Sequence, residues 1–335
     1  MSNIQLGATK LYVEKNGMGC LPIQRCSSVD AVSILQLAFR GGVHFFDTAR
    51  NYTNSEEKLG LAFCQCRNEV VITSKTHAKD TTAFWQDLKT SLTNLRTGYI
   101  DIYMFHNSPV VYRPNDGTGL YEAMLEAKKQ GLIRHIGLST HKFQVALLTI
   151  ESGLYEVLQY PFSYLATNKE IELVQLSKEK SMGFVAMKAL SGGLLKSFST
   201  AFAWFEQFPE IIPIWGFQSE AEVLELVQCL QHTPSLDQKA LALIEADKQS
   251  LSGKFCRGCG YCLPCAADID IPYVARMSLF LRRSPVQRHL TDTNRAKMAR
   301  ILDCANCNHC QEHCPYHLDV KTLLRENYDD YRSFL

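Results

Sequence analysis

Residues 43–64 read VHFFDTARNYTNSEEKLGLAFC. Positions 43–48 form an apolar, aromatic-rich run that takes in Asp47 near its end, and 55–64 carry a helical pattern. An apolar run without alternation is the signature of a strand buried on both faces. Tyr52 falls in the loop between the two elements. The same unit recurs along the chain. Strand-like runs cover 16–23, 43–48, 70–75, 100–106, 135–139, 157–162, 184–190 and 211–217. Helical patterns lie at 30–40, 55–64, 82–95, 120–130, 169–180 and 219–231, the first stopped by Gly41-Gly42. Strands alternating with helices imply a parallel sheet. Eight units within roughly 250 residues match the arithmetic of a (β/α)8 barrel. The competitor is an open doubly wound sheet, which usually carries G-x-G-x-x-G after its first strand. No such motif follows 16–23. The expected fold class is therefore α/β, a (β/α)8 TIM barrel over residues 1–250, with a small, mostly helical domain over 251–335.

The chain has 335 residues, 46% of them hydrophobic and 21% charged, with a formal net charge of +1. That composition is globular and excludes wholesale disorder. A near-zero charge argues against a nucleic-acid scaffold. No window approaches the roughly 18 uncharged apolar residues that a membrane span requires. Residues 1–17 contain Lys10, Glu14 and Lys15 and no apolar run. A cytoplasmic protein without nucleic-acid or membrane partners is expected.

The 13 cysteines are unevenly spread. Cys20, Cys26, Cys64, Cys66 and Cys229 are scattered and read as ordinary thiols. Eight others crowd the region beyond a texture change at Ser252-Gly253. The first run is Cys256-x2-Cys259-x2-Cys262-x2-Cys265; the second is Cys304-x2-Cys307-x2-Cys310-x3-Cys314-Pro315. The second has the spacing of a bacterial [4Fe–4S] run, closing Pro included. Zinc is the alternative, but paired zinc cysteines are usually separated by a dozen or more residues. Eight thiols supply two [4Fe–4S] clusters. In two-cluster ferredoxins the fourth cysteine of each run ligates the other cluster. The expectation is Cys256, Cys259, Cys262 and Cys314 on one cube, and Cys304, Cys307, Cys310 and Cys265 on the second. The first run departs from the usual pattern in its last gap and in having Pro264 before its final cysteine. The tail resembles a ferredoxin-type domain, with helix candidates at 276–283 and 293–302.

Polar residues mark the ends of three consecutive barrel strands: Asp47, Lys75 and His106, with Tyr52 just after the first. Strand C-termini and their loops form the catalytic face of such a barrel. A nearby ammonium favours phenolate, so Lys75 is expected to pull the Tyr52 pKa toward neutrality. Asp47 would hold the lysine, Tyr52 would protonate a carbonyl oxygen, and His106 would add a hydrogen bond to that oxygen. The carbonyl carbon then needs a hydride from a redox cofactor.

Val43-His44-Phe45-Phe46-Asp47-Thr48-Ala49, Tyr52, Ser55-Glu56 and Leu59-Gly60 resemble the aldo-keto reductase signature. The resemblance covers roughly residues 5–230. It implies the barrel, reversible carbonyl reduction by NAD(P)(H), and a catalytic set of Asp47, Tyr52, Lys75 and His106. It also implies that Ser139 and Gln159 contact the nicotinamide carboxamide and that Lys188, Gln218 and Ser219 belong to the dinucleotide site. The sequence departs from the family twice. Met187 stands where an aromatic often stacks on the nicotinamide, and Gly216-Phe217-Gln218-Ser219 lacks the arginine that grips a 2′-phosphate. NAD is therefore as open as NADP.

The leading expectation is an oxidoreductase acting on a small carbonyl or alcohol, with electron transfer through two clusters to a ferredoxin or other redox partner. A hydride carries two electrons and a cluster one, so direct coupling calls for a converter such as a flavin; no flavin motif is visible. The alternative is a dinucleotide-binding redox sensor or regulatory subunit whose clusters are structural or used for docking.

Overall fold

The computed structural model describes residues 3–251 and 255–335. Two compact units divide the chain, Met1–Ile244 and Glu245–Leu335. The expected boundary at Ser252-Gly253 lies outside the described residues.

The first unit opens with an antiparallel hairpin, β1 (Asn3–Gln5) and β2 (Tyr12–Glu14). Eight parallel strands follow: β3 (Gly17–Gly19), β4 (Phe45–Asp47), β5 (Val71–Thr76), β6 (Ile100–Phe105), β7 (Ile133–Ser139), β8 (Val157–Pro161), β9 (Gly183–Met187) and β10 (Ile211–Gly216). Each pairs with the next, and β10 pairs back onto β3, which closes the barrel. One helix follows each strand: α1 (Ser28–Arg40), α2 (Ser55–Phe63), α3 (Thr81–Asn94), α4 (Leu120–Lys129), α5 (Phe143–Ser152), α6 (Asn168–Glu179), α7 (Phe198–Phe205) and α8 (Glu220–Gln231). A further helix, α9 (Gln238–Leu251), comes next.

Local chemistry sets the helix ends. The Ser27 hydroxyl accepts from the Asp30 amide and starts α1. Gly42, at φ +100°, turns the chain out of α1 into β4. Inside the barrel, Phe45, Ile102, Met104, Val157, Val185, Ile212 and Ile214 pack together with Leu6 and Val13 of the hairpin region. Leu6 reaches the start of β9, where a Cβ on Gly183 would stand 2.6 Å from its Cγ. The hairpin thus seals the N-terminal end, and the opposite rim is left to the strand C-termini.

The second unit holds α10 (Ile271–Val274), α11 (Met277–Arg283), α12 (Asp292–Ala299), α13 (His309–Glu312) and α14 (Val320–Arg332). Val274, Met277, Met298, Leu324 and Tyr331 form its core together with four of the cysteines, Cys256, Cys262, Cys310 and Cys314. Among the described residues, no helix is long and apolar enough to cross a membrane.

Candidate active site and thiol cavities

Asp47 ends β4 and lies in register with Thr73 of β5. Lys75 follows Thr73 on the same face of β5, as the two-residue strand period requires. His106 comes directly after β6. Tyr52 sits in the turn before α2, closed by its own amide donating to the Ala49 carbonyl at 3.0 Å. Parallel strands carry all four residues to one rim.

Asp47 Oδ1 is the hub of this rim. It accepts from Lys75 Nζ at 2.6 Å, from the Thr73 hydroxyl at 2.5 Å and from Gln159 Nε2 at 2.8 Å. Lys75 Nζ also donates to the Thr48 carbonyl at 2.6 Å. The ammonium lies 5.4 Å from the centre of the Tyr52 ring. The Tyr52 and His106 rings meet edge to face at 5.5 Å. His77 stacks on His106 with ring centres 4.2 Å apart. The His106 Nδ1 atom is buried and has no hydrogen-bond partner in the protein.

The electrostatics correct one expectation. Lys75 does not draw the Tyr52 phenol down. Burial, then the Asp47 carboxylate and the Cys20 thiol, push the phenol well above its ordinary value. The reason is geometric: the lysine charge is answered by Asp47 at contact distance, so the phenol sees an ion pair rather than a lone cation. The Tyr52 phenol thereby stays protonated. Burial lowers the Lys75 pKa and Asp47 opposes that fall. Burial, then Lys75 and His77, hold His106 well below the usual histidine range, so its imidazole is neutral at pH 7.

Ser139 and Gln159 are cross-strand neighbours in register on β7 and β8, and both are buried. Ser139 Oγ accepts from the Asn107 amide at 2.8 Å, leaving its own hydrogen to donate. Gln159 has its amide nitrogen on Asp47 and so ties β8 to that carboxylate. Met187 ends β9, and Lys188 follows it at φ +60°. Gln218 is exposed beside Ser219, which caps α8. The Glu222 carboxylate accepts from the amides of both Gln218, at 2.8 Å, and Ser219, at 3.1 Å. The Glu222 carboxylate thus occupies both amides at the start of α8.

Thr73, His77 and Glu222 escaped the sequence reading. Thr73 and His77 were signalled by the period of β5, lying two residues either side of Lys75. Glu222 was signalled by S-x-x-E at Ser219, a capping box. Cys20, read as an ordinary thiol, is fully buried near Tyr52 and Lys75 and donates to the Met18 carbonyl at 3.6 Å.

In the second unit the eight thiols line two cavities. One is lined by Cys256, Cys259, Cys262 and Cys314. The other is lined by Cys265, Cys304, Cys307 and Cys310, with Cys262 at the edge of both. Zinc needs four sulfurs about 2.3 Å from one point. Among the described residues no group of three or more His, Cys, Asp or Glu side chains converges on a single ion position. Thiols standing around a cavity fit a four-iron cube. Residues 255–319 match the sequence model of a 4Fe-4S dicluster domain.

Residues 4–243 match the model of the aldo/keto reductase family. The chain belongs to the aldo/keto reductase family. The barrel is 27% identical over 209 residues to a Bacillus subtilis protein named uncharacterized oxidoreductase YqkF, covering 58% of this chain and 67% of that one. It is 34% identical over 146 residues to the D-galacturonate reductase of Fragaria ananassa, covering 37% and 46%. The second of these matches thus spans less than half of the relative's length. Among solved structures, the holo form of aldo-keto reductase AKR11C1 from Bacillus halodurans superposes with a TM-score of 0.64 at 21% identity, over 74% of this chain and 96% of that one. An aldo-keto reductase from Klebsiella pneumoniae in complex with NADPH gives 0.61 at 21%, over 73% and 95%. These structures share the barrel fold, and the dicluster-domain match follows the barrel in the chain.

Proposed function

We propose that the chain is an oxidoreductase that interconverts a small carbonyl compound and its alcohol in the barrel, with two [4Fe–4S] clusters in the tail exchanging electrons with a ferredoxin or similar protein. The observation that supports it most is the buried Lys75–Asp47 pair beside the Tyr52 ring, with His106 completing the rim. When bound, a nicotinamide dinucleotide supplies the hydride for the carbonyl carbon. The residues of this chain do the rest. Tyr52 donates its hydroxyl proton to the carbonyl oxygen as negative charge develops there. Lys75 and Asp47 fix the electrostatics of the phenol. His106, neutral, places a second hydrogen bond on the same oxygen. Ser139 and Gln159 are assigned to the carboxamide, and Lys188, Gln218 and Ser219 to the rest of the dinucleotide.

Cluster thiolates and nicotinamide chemistry both suit the reducing cytoplasm, where we place the protein. The test is anaerobic purification followed by iron, sulfide, flavin and nicotinamide analysis. Aldehydes and ketones are then assayed with NADH and NADPH. Turnover by the iron-loaded chain supports the enzyme. Loaded clusters, tight dinucleotide binding and no turnover across a broad carbonyl panel would favour a redox sensor.

A further inference from the structure

The cysteine loop that borders the first thiol cavity has a cation built against it, at Gly258. Gly258 lies between Cys256 and Cys259 at φ +74°, and its amide donates to Cys256 Sγ at 3.3 Å. A Cβ on this glycine would stand 2.8 Å from both Cζ and Nη1 of Arg276. The guanidinium therefore rests on the bare face of the cysteine loop. It is held there from behind: Nε donates to the Pro272 carbonyl at 2.6 Å, and Cζ lies 5.1 Å from the Phe280 ring centre. Its electrostatic neighbours are Cys256, Asp270 and Cys259. Asp270 is itself paired with Lys297 at 3.6 Å. The arginine that lines the cavity itself is Arg257, which lies over the Tyr316 ring at 4.3 Å.

We propose that Arg276 is a positioning residue for the cluster held by Cys256, Cys259, Cys262 and Cys314: seated on Gly258, it supplies a fixed positive charge that raises that cluster's reduction potential. The proposal rests on the cluster reading above. A [4Fe–4S] cube with four thiolates becomes more negative by one charge when it takes one electron. A cation fixed beside it stabilises the reduced form more than the oxidised one. The step moves a single electron, from dithionite in the test, and breaks no bond.

The full-length chain is purified anaerobically as wild type, Arg276→Gln and Arg276→Lys. Iron and sulfide are counted, and the two clusters are titrated with redox mediators by electron paramagnetic resonance. In Arg276→Gln one cluster should become harder to reduce, its reduction equilibrium falling about tenfold, or roughly 59 mV for one electron. The second cluster should stay in place. Arg276→Lys should hold wild-type iron and a near-wild-type potential. Unchanged potentials in an iron-replete Arg276→Gln protein overturn the proposal while leaving the cluster reading intact. Wild-type protein without two cubes' worth of iron overturns the cluster reading itself. If Arg276→Gln loses iron, the lysine variant decides. Retained iron and potential there support a charge requirement, and loss of iron there makes Arg276 a structural anchor of the loop and refutes the proposal.

Discussion

Lys75 donates to Asp47 Oδ1 across 2.6 Å, and both side chains are almost wholly removed from water. Breaking a buried pair from one side leaves an uncompensated charge, which costs about 3–5 kcal/mol. Asp47→Asn strands the Lys75 ammonium and should lower unfolding stability by an amount in that range. Chemical denaturation of the variant measures it. A loss below about 1 kcal/mol would mean that the pair is solvated, as exposed pairs are.

Tyr52→Phe removes the proton donor and nothing else in the rim. Carbonyl reduction should fall roughly 10²–10⁴-fold, the usual worth of general acid catalysis. Dinucleotide binding, followed by fluorescence, should barely change. Near-normal turnover would remove Tyr52 from the mechanism. The pH profile adds a second check. The phenol is pushed upward, so the acid stays protonated beyond its ordinary value near 10. His106 is pushed downward, so its neutral form persists below the ordinary value near 6.5. Reduction should therefore show no acidic limb centred at pH 6.5.

Glu222 already satisfies the amides of Gln218 and Ser219, and no arginine stands at 218. The wild type should discriminate weakly between NADH and NADPH. Gln218→Arg should shift kcat/KM toward NADPH by about 1–3 kcal/mol, as a charge-assisted contact allows. A hundredfold NADPH preference in the wild type would show that another cation grips the 2′-phosphate.

Glu156 accepts from His135 Nδ1 at 2.7 Å, Lys128 Nζ at 2.6 Å and the Ile136 amide at 3.1 Å. Burial opposes the shift, but these bonds outweigh it and bring the carboxyl from an ordinary 4.5 down to about 2. A folded-state pKa below the unfolded value gives stability that is complete above the unfolded pKa. That stability drains away as pH falls from about 4.5 toward 2. Wild type should exceed Glu156→Gln in stability at pH 6, and the gap should close between pH 4.5 and 2. A gap that stays constant through that window would show that the carboxylate contributes nothing through its charge.

The barrel was legible because its strands are buried on both faces. Ile100–Phe105 is buried at every position, so its sequence is apolar apart from Asp101. The candidate site was legible as polar residues at or just after the ends of such runs. Helix α7 left no amphipathic trace. FSTAFAWF is buried at seven of its eight positions and has no polar face to set a period. The hairpin strands, at three residues each, are too short to show alternation. The phenol's pKa was misread because sequence places Lys75 near Tyr52 but does not say that Asp47 reaches the ammonium first. The thiols line the two cavities in the crossed grouping that the two-cluster ferredoxin pattern implies, the fourth cysteine of each run standing with the other run.

Double variants test that grouping without assigning a spectrum. Cys265 and Cys304 line the same cavity although they belong to different runs. If they ligate one cube, Cys265→Ser with Cys304→Ser damages only that cube, and about four of roughly eight iron atoms should remain. Cys256 and Cys265 share a run but line different cavities. Cys256→Ser with Cys265→Ser should therefore strip iron from both cubes. Ligation run by run predicts the reverse: the first pair would lose both clusters and the second only one. Iron and sulfide assays on anaerobically purified, folded protein separate the two patterns, with circular dichroism confirming that the barrel is intact. The expected order follows from chain geometry. Cys314 closes the second run, yet it lies with Cys256, Cys259 and Cys262 at a cavity that Leu318, Val320 and Leu323 also line, so the start of α14 brings it across.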